Sequence, residues 1–115
     1  MPDTSLTGLQ ESIDAWIKAN GGYWDEMSLL ARLTEEVGEL AREYNHCFGA
    51  KQKKSSEAEG SIEGELADIL WLVLCMANQQ EINMERAFEG VMTKLRVRDA
   101  GRHQIRSAPD PESTD

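Results

Sequence analysis

Two pairs of carboxylates carry the chemistry most readily read from this sequence: Glu36 with Glu39, and Glu65 with Asp68. Members of each pair are three residues apart, so on a helix they stand about 60° from one another on a single face. Glu36 and Glu39 flank an apolar seam of Leu33, Val37 and Leu40, whereas Glu35 turns toward the far side. Asp68 immediately precedes the apolar run Ile69–Ala77, which sets its carboxylate at the buried edge of a bundle. Four acids gathered there repel one another unless neutralised. An oxygen-only donor set suits magnesium or manganese, since thiolate and imidazole ligands are what select zinc and copper. A di-iron bundle would need Glu-x-x-His on two helices. Only Glu43-x-x-His46 has that form, because His103 follows no glutamate by three. Either pair taken alone fits an ordinary solvated helix face; the two together, each edging an apolar seam, leave a metal site and a solvated face as equal readings.

Helices must position these acids. Helix one is expected over Ser5–Ala19, with Leu6, Leu9, Ile13, Trp16 and Ile17 on one stripe and Asn20-Gly21-Gly22 ending it. Tyr23-Trp24-Asp25 forms a short aromatic connector. Helix two is expected over Glu26–Cys47, its seam drawn from Leu30, Leu33, Val37, Leu40 and Tyr44. Gly38 inside it points to close approach of another backbone, since glycine there costs about 1 kcal/mol relative to alanine. Ala50–Gly60, with Lys51, Lys53 and Lys54, reads as a polar loop. Helix three begins at the N-cap Ser61 and contains Ile69–Ala77, apolar around its whole circumference. Such a helix needs burial on every side, and the remaining helices of a small bundle cover only part of it, so a subunit interface is expected. Helix four is expected over Met84–Asp99, capped by Asn83, with Ala87, Val91 and Leu95 inward. The division is thus a helical domain over 1–100 and a disordered tail over 101–115.

Composition sets limits on the partner. A net charge of −9 argues against a nucleic acid polymer, whose phosphates need basic patches. It leaves a nucleotide open, because bound divalent cations reverse the local field. Cys47 and Cys75 lack a CxxC spacing and read as two buried free thiols. No basic and apolar leader opens the chain, and the longest apolar run is about half the ~20 residues a membrane span needs. A cytoplasmic protein with no membrane partner is the expectation.

The combined motif Glu35-Glu36-x-x-Glu39, a spacer, then Glu65-x-x-Asp68 resembles that of the MazG-like all-α nucleoside triphosphate pyrophosphohydrolases. The resemblance covers Met27 through Asp99 and is closest over Ala31–Glu43 and Glu63–Leu70, especially to the short, single-domain YpjD-like bacterial branch. It implies an all-α, four-helix MazG-type bundle assembled as a dimer or dimer-based tetramer. It implies a hydrolase of phosphoanhydride bonds, splitting a nucleoside triphosphate to the monophosphate and pyrophosphate in nucleotide-pool house-cleaning. Magnesium, or manganese in its place, would be held by Glu36, Glu39, Glu65 and Asp68. Glu35 and Glu36 match the catalytic glutamates, with Glu35 either a partner of the ligands or the base that activates water. Lys94 and Arg98, four apart on one helical face, match the family's phosphate clamp. Base recognition is expected from Trp24, stacking, and Asn83, reading an edge. The rival readings are a nucleotide-binding module without turnover and a helical interaction or regulatory module without a ligand.

Overall fold

The computed structural model describes residues 3–49 and 60–106, with side chains as far as Gly101. Four helices follow in order: α1 (Leu6–Ala19), α2 (Glu26–Phe48), α3 (Ile62–Gln79) and α4 (Met84–Arg106). No strand occurs among the described residues. Each helix starts where a short polar side chain takes up an otherwise orphaned N–H. Ser5 accepts from Gly8, Asp25 from Ser28, Ser61 from Gly64 and Asn83 from Arg86, all at 2.9–3.0 Å. The expected caps Ser61 and Asn83 are therefore in place. Gly21 and Gly22, at φ 105° and 88°, end α1 as expected, the Gly22 N–H reaching back 2.9 Å to the Ile17 carbonyl. The loop lysines Lys51, Lys53 and Lys54, and the tail from Ser107, lie outside the described residues.

The central helix is α3, packed between α2 on one side and α1 on the other. It runs antiparallel to both. Glu43 of α2 lies against Gly60, while at the opposite end Gln79 donates 2.6 Å to the Trp24 carbonyl. A Cβ at Gly60 would sit 2.7 Å from the Glu43 carboxylate, so a larger residue there would displace the end of that side chain. Against α1, Trp16 and Trp71 meet edge to face with ring centres 6.3 Å apart. Among the described residues the buried apolar set is Ile17, Leu29, Leu72, Leu74, Cys75 and Ala77.

Five expectations change. The face of α2 buried against the chain carries Leu29, Glu36 and Glu43, not Leu30, Val37 and Tyr44, which are each nearly half exposed. Adjacent positions differ by about 100° around a helix, so the apolar stripe has turned outward and acids occupy the inner seam. Among the described residues nothing approaches Gly38; the space a Cβ would need is open. In α4, Ala87, Val91 and Leu95 are exposed, because among the described residues this helix leans mainly on α1, near its start. It also continues through Gly101 to Arg106, past Asp99. Finally, Cys75 is buried but Cys47 is exposed, both as free thiols.

A buried amide cluster ties α1 to the α3–α4 turn. The Gln10 side chain, 8% exposed as a residue, donates to Asn78 Oδ1 (2.9 Å) and the Ile82 carbonyl (2.8 Å). Its Oε1 accepts the Met84 N–H at 2.9 Å, and Asn78 Nδ2 donates to the Gln10 carbonyl at 2.9 Å. Removing one partner of such a group leaves the others desolvated and unpaired. Gln10→Leu is expected to destabilise the protein by about 2–3 kcal/mol in urea unfolding; a loss below about 0.5 kcal/mol would show that the cluster contributes little.

Candidate active site

Two antiparallel stripes build the site. On α2, Leu29, Arg32, Glu36 and Glu39 recur in steps of three and four; on α3, Glu65, Asp68, Leu72 and Cys75 do the same. Packing the stripes head to tail sets the acidic half of one against the acidic half of the other, and apolar against apolar. Carboxylate oxygens of Glu36, Glu65 and Asp68 come within 4.8 Å of one another. Around them lies a polar hollow of about 450 Å³, lined also by Arg32, Glu35, Glu39 and Arg42. Beyond it opens a second cavity of about 450 Å³, walled by Trp16, Tyr23, Trp24 and Trp71 with Cys75 among its lining. Arg32, Glu36 and Asp68 border both.

The electrostatics are those of an under-neutralised cluster. Glu36 is buried; Arg32 approaches its Oε1 at 3.1 Å, and the other guanidinium nitrogen stands 3.7 Å from Glu35. Among the described residues no donor group reaches Glu36 Oε2 or Glu65 Oε2, both buried. Sharing a proton with Glu36 is the largest influence on Glu65, followed by desolvation and the charges of Glu36, Glu39 and Asp68. Together they push the Glu65 carboxyl up to about 7. At the aromatic cavity, burial and then the Asp14 carboxylate, 2.5 Å from its hydroxyl, push Tyr23 up to about 12. Burial raises the Cys75 thiol to about 11, so it is a protonated wall group.

The residues expected from sequence divide. Glu36, Glu65 and Asp68 form the tight cluster; Glu39 borders the same hollow outside that triad; Glu35 stands at its rim with a side chain 69% exposed. Trp24 lines the aromatic cavity. Asn83 does not come to the site: its Oδ1 accepts the Arg86 N–H at the start of α4, and it borders a separate hollow with Thr7 and Gln10. The need of a helix N-terminus for an acceptor explains that residue. Lys94 and Arg98 are exposed on α4 and line neither the acidic nor the aromatic cavity of their own chain.

The family model of the MazG nucleotide pyrophosphohydrolase domain matches residues 25–103, which contain both acidic pairs. The chain belongs to the MazG nucleotide pyrophosphohydrolase family. Membership makes it a hydrolase acting on the phosphoanhydride bonds of nucleotides. It is 42% identical over 103 residues to the uncharacterized protein YpjD of Bacillus subtilis (strain 168), spanning 89% of this chain and 93% of that one. A crystal structure of YpjD from Bacillus subtilis superposes with a TM-score of 0.70, covering 82% of this chain and 97% of that one. The Bacillus-conserved MazG protein, a nucleotide pyrophosphohydrolase, superposes at 0.68 and 42% identity, covering 83% and 93%.

The donor set fits the divalent cation on which MazG enzymes generally depend: all ligand atoms are carboxylate oxygens, and two buried ones await a partner. Sequence reading missed Arg32 and the joining of Trp16 and Trp71 into the cavity wall. The signal for Arg32 was its spacing, three residues before Glu35 and four before Glu36.

A pH dependence follows for the metal-free protein. Because the Glu65 carboxyl lies near 7 in the fold against an ordinary 4.5, the folded state holds a proton that the unfolded chain releases. That contribution is fully present below about 4.5 and is lost as pH rises through about 7. In EDTA, Tm is expected to fall between pH 5 and pH 8, with magnesium restoring it at pH 8 and Glu65→Gln flattening the profile. A wild-type Tm flat across that range would contradict the shared proton.

Proposed function

We propose that the protein is a magnesium-dependent nucleoside triphosphate pyrophosphohydrolase, with manganese able to substitute, releasing a nucleoside monophosphate and pyrophosphate. The observation that carries this reading is the convergence of Glu36, Glu65 and Asp68 within 4.8 Å, beside an aromatic cavity that shares two of those acids. Oxygen ligands favour a hard cation, and the volume of about 450 Å³ lies in the range of small-ligand pockets. Non-standard or surplus nucleotides of the cytoplasmic pool are the substrates this reading assigns.

Each residue then has a task. Glu36, Glu65 and Asp68 hold the ion, with Glu39 completing the hollow. When bound, the cation supplies neutralisation of the triphosphate oxygens and of the charge that develops on pyrophosphate. Glu35, exposed at the rim, is the carboxylate that takes a proton from water. Trp24 stacks on the base from the cavity mouth, with Trp16 and Trp71 as its walls.

The working form is a homodimer or a dimer-based tetramer. Support comes from apolar side chains left open: Leu30, Val37 and Tyr44 on α2, Leu66 and Leu70 on α3, and Val91 and Leu95 on α4. Monomers rarely leave so much contiguous apolar surface uncovered. Lys94 and Arg98 lie within one helical turn of Val91 and Leu95. Burying that stripe on a second copy would carry the two cations to the partner's phosphates.

Two measurements test this. Incubation with canonical, deoxy and oxidised nucleoside triphosphates plus magnesium is expected to release pyrophosphate from at least one. Glu65→Gln and Glu39→Ala should each lower kcat by about 100-fold or more. No release from any triphosphate, or a Glu65→Gln variant as active as wild type, would refute the activity. Sedimentation at micromolar concentration is expected to show no monomer, and a clean monomer would refute the assembly.

A further inference from the structure

Arg32 occupies a position that ligand-holding by the acids does not account for. It borders both cavities, and among the described residues its guanidinium is the cation nearest the cluster, 3.1 Å from Glu36 Oε1 and 3.7 Å from Glu35. The Glu36 carboxylate therefore faces two ways. One oxygen meets Arg32; the other is buried, and no donor reaches it among the described residues. We propose that Arg32 is a transferable counter-ion: it neutralises Glu36 while the cluster holds no metal, and binds a phosphate of the nucleotide once a divalent cation has taken over that acid.

The physical argument has three steps. Arginine stays protonated at any working pH, so it cannot relieve a change in its surroundings by losing its proton. A divalent cation at Glu36, Glu65 and Asp68 withdraws negative charge from Glu36 and repels the guanidinium, weakening the 3.1 Å pair. The released fork needs another anion. A ligand with its base between Trp24 and Trp71 and its phosphates at the acids has to pass the residues common to both cavities, and Arg32 is the one cation among them. Its planar donors match a phosphate in bidentate fashion. With a side chain 49% exposed, Arg32 can swing without disturbing packed neighbours. The inference rests on the metal and nucleotide reading above, and its test needs no turnover.

Two calorimetric titrations decide it, on wild type, Arg32→Met and Arg32→Lys, with circular dichroism confirming the fold of each. In the first, magnesium alone is added. Arg32→Met is expected to bind it about fivefold more tightly than wild type, since a competing cation has gone. In the second, inorganic tripolyphosphate is added at saturating magnesium. Arg32→Met is expected to bind it roughly tenfold or more weakly, with Arg32→Lys recovering part of the loss. Magnesium binding unchanged or weakened in Arg32→Met overturns the counter-ion. Tripolyphosphate binding equal in wild type and Arg32→Met, or absent from both, overturns the transfer. A wild type that hydrolyses no nucleotide yet gives both expected shifts would refute the enzymatic reading and leave this one standing.

Discussion

A carboxylate inside a helix–helix seam is the constraint on which the rest of this molecule turns. Glu36 and Glu43 lie at two successive buried positions of α2, 5% and 3% exposed. Desolvating an unpaired carboxylate costs several kcal/mol, so each must have company. At Glu43 the neighbour is His46, 3.9 Å away. At Glu36 there are Arg32 on one side and, on the other, the neighbouring Glu65 carboxyl that it pushes up to about 7. A divalent cation held there would answer the same need more completely and would couple its binding to the packing of α2 on α3. The acids are held in place by the fold and in turn leave it dependent on what neutralises them.

That constraint also explains the unusual distribution of apolar side chains. With acids on the inner face of α2, Leu30, Val37 and Tyr44 point away from the chain's own core. On α3 the buried half, Leu72, Leu74, Cys75 and Ala77, serves α1 and α2, while Leu66 and Leu70 remain open. The molecule thus has two apolar systems, one satisfied internally and one facing outward. A chain that devotes its inner seam to charge has fewer apolar contacts with which to stabilise itself, and association is the common remedy.

The central helix joins the two halves of the site. Asp68 and Trp71 are three residues apart on α3, so a single turn separates the acidic hollow from the aromatic cavity. Arg32, Glu36 and Asp68 stand on the boundary. A nucleotide has the same division, an uncharged planar end and an anionic end, and the order along α3 reproduces it.

Much of this was legible from residue spacing. The acidic pairs, the helix caps Ser61 and Asn83 and the Asn20-Gly21-Gly22 stop all follow from local rules: which positions share a helical face, which side chains accept an N–H, which residues adopt positive φ. The tertiary structure decided what spacing leaves open. It determined which flank of α2 faces inward, because a stripe of leucines and valines records a need for burial without saying whether this chain or another supplies it. It left Ala87, Val91 and Leu95 uncovered for the same reason. It set Asn83 at a hollow apart from the aromatic cavity and separated Lys94 and Arg98 from the acids of their own chain, since distance between helices is not encoded in spacing along one. It also brought Arg32 to the boundary of both cavities. The carboxylates could be found from the sequence because their period is that of a single helix; their neighbours could not, because those arrive from helices packed alongside.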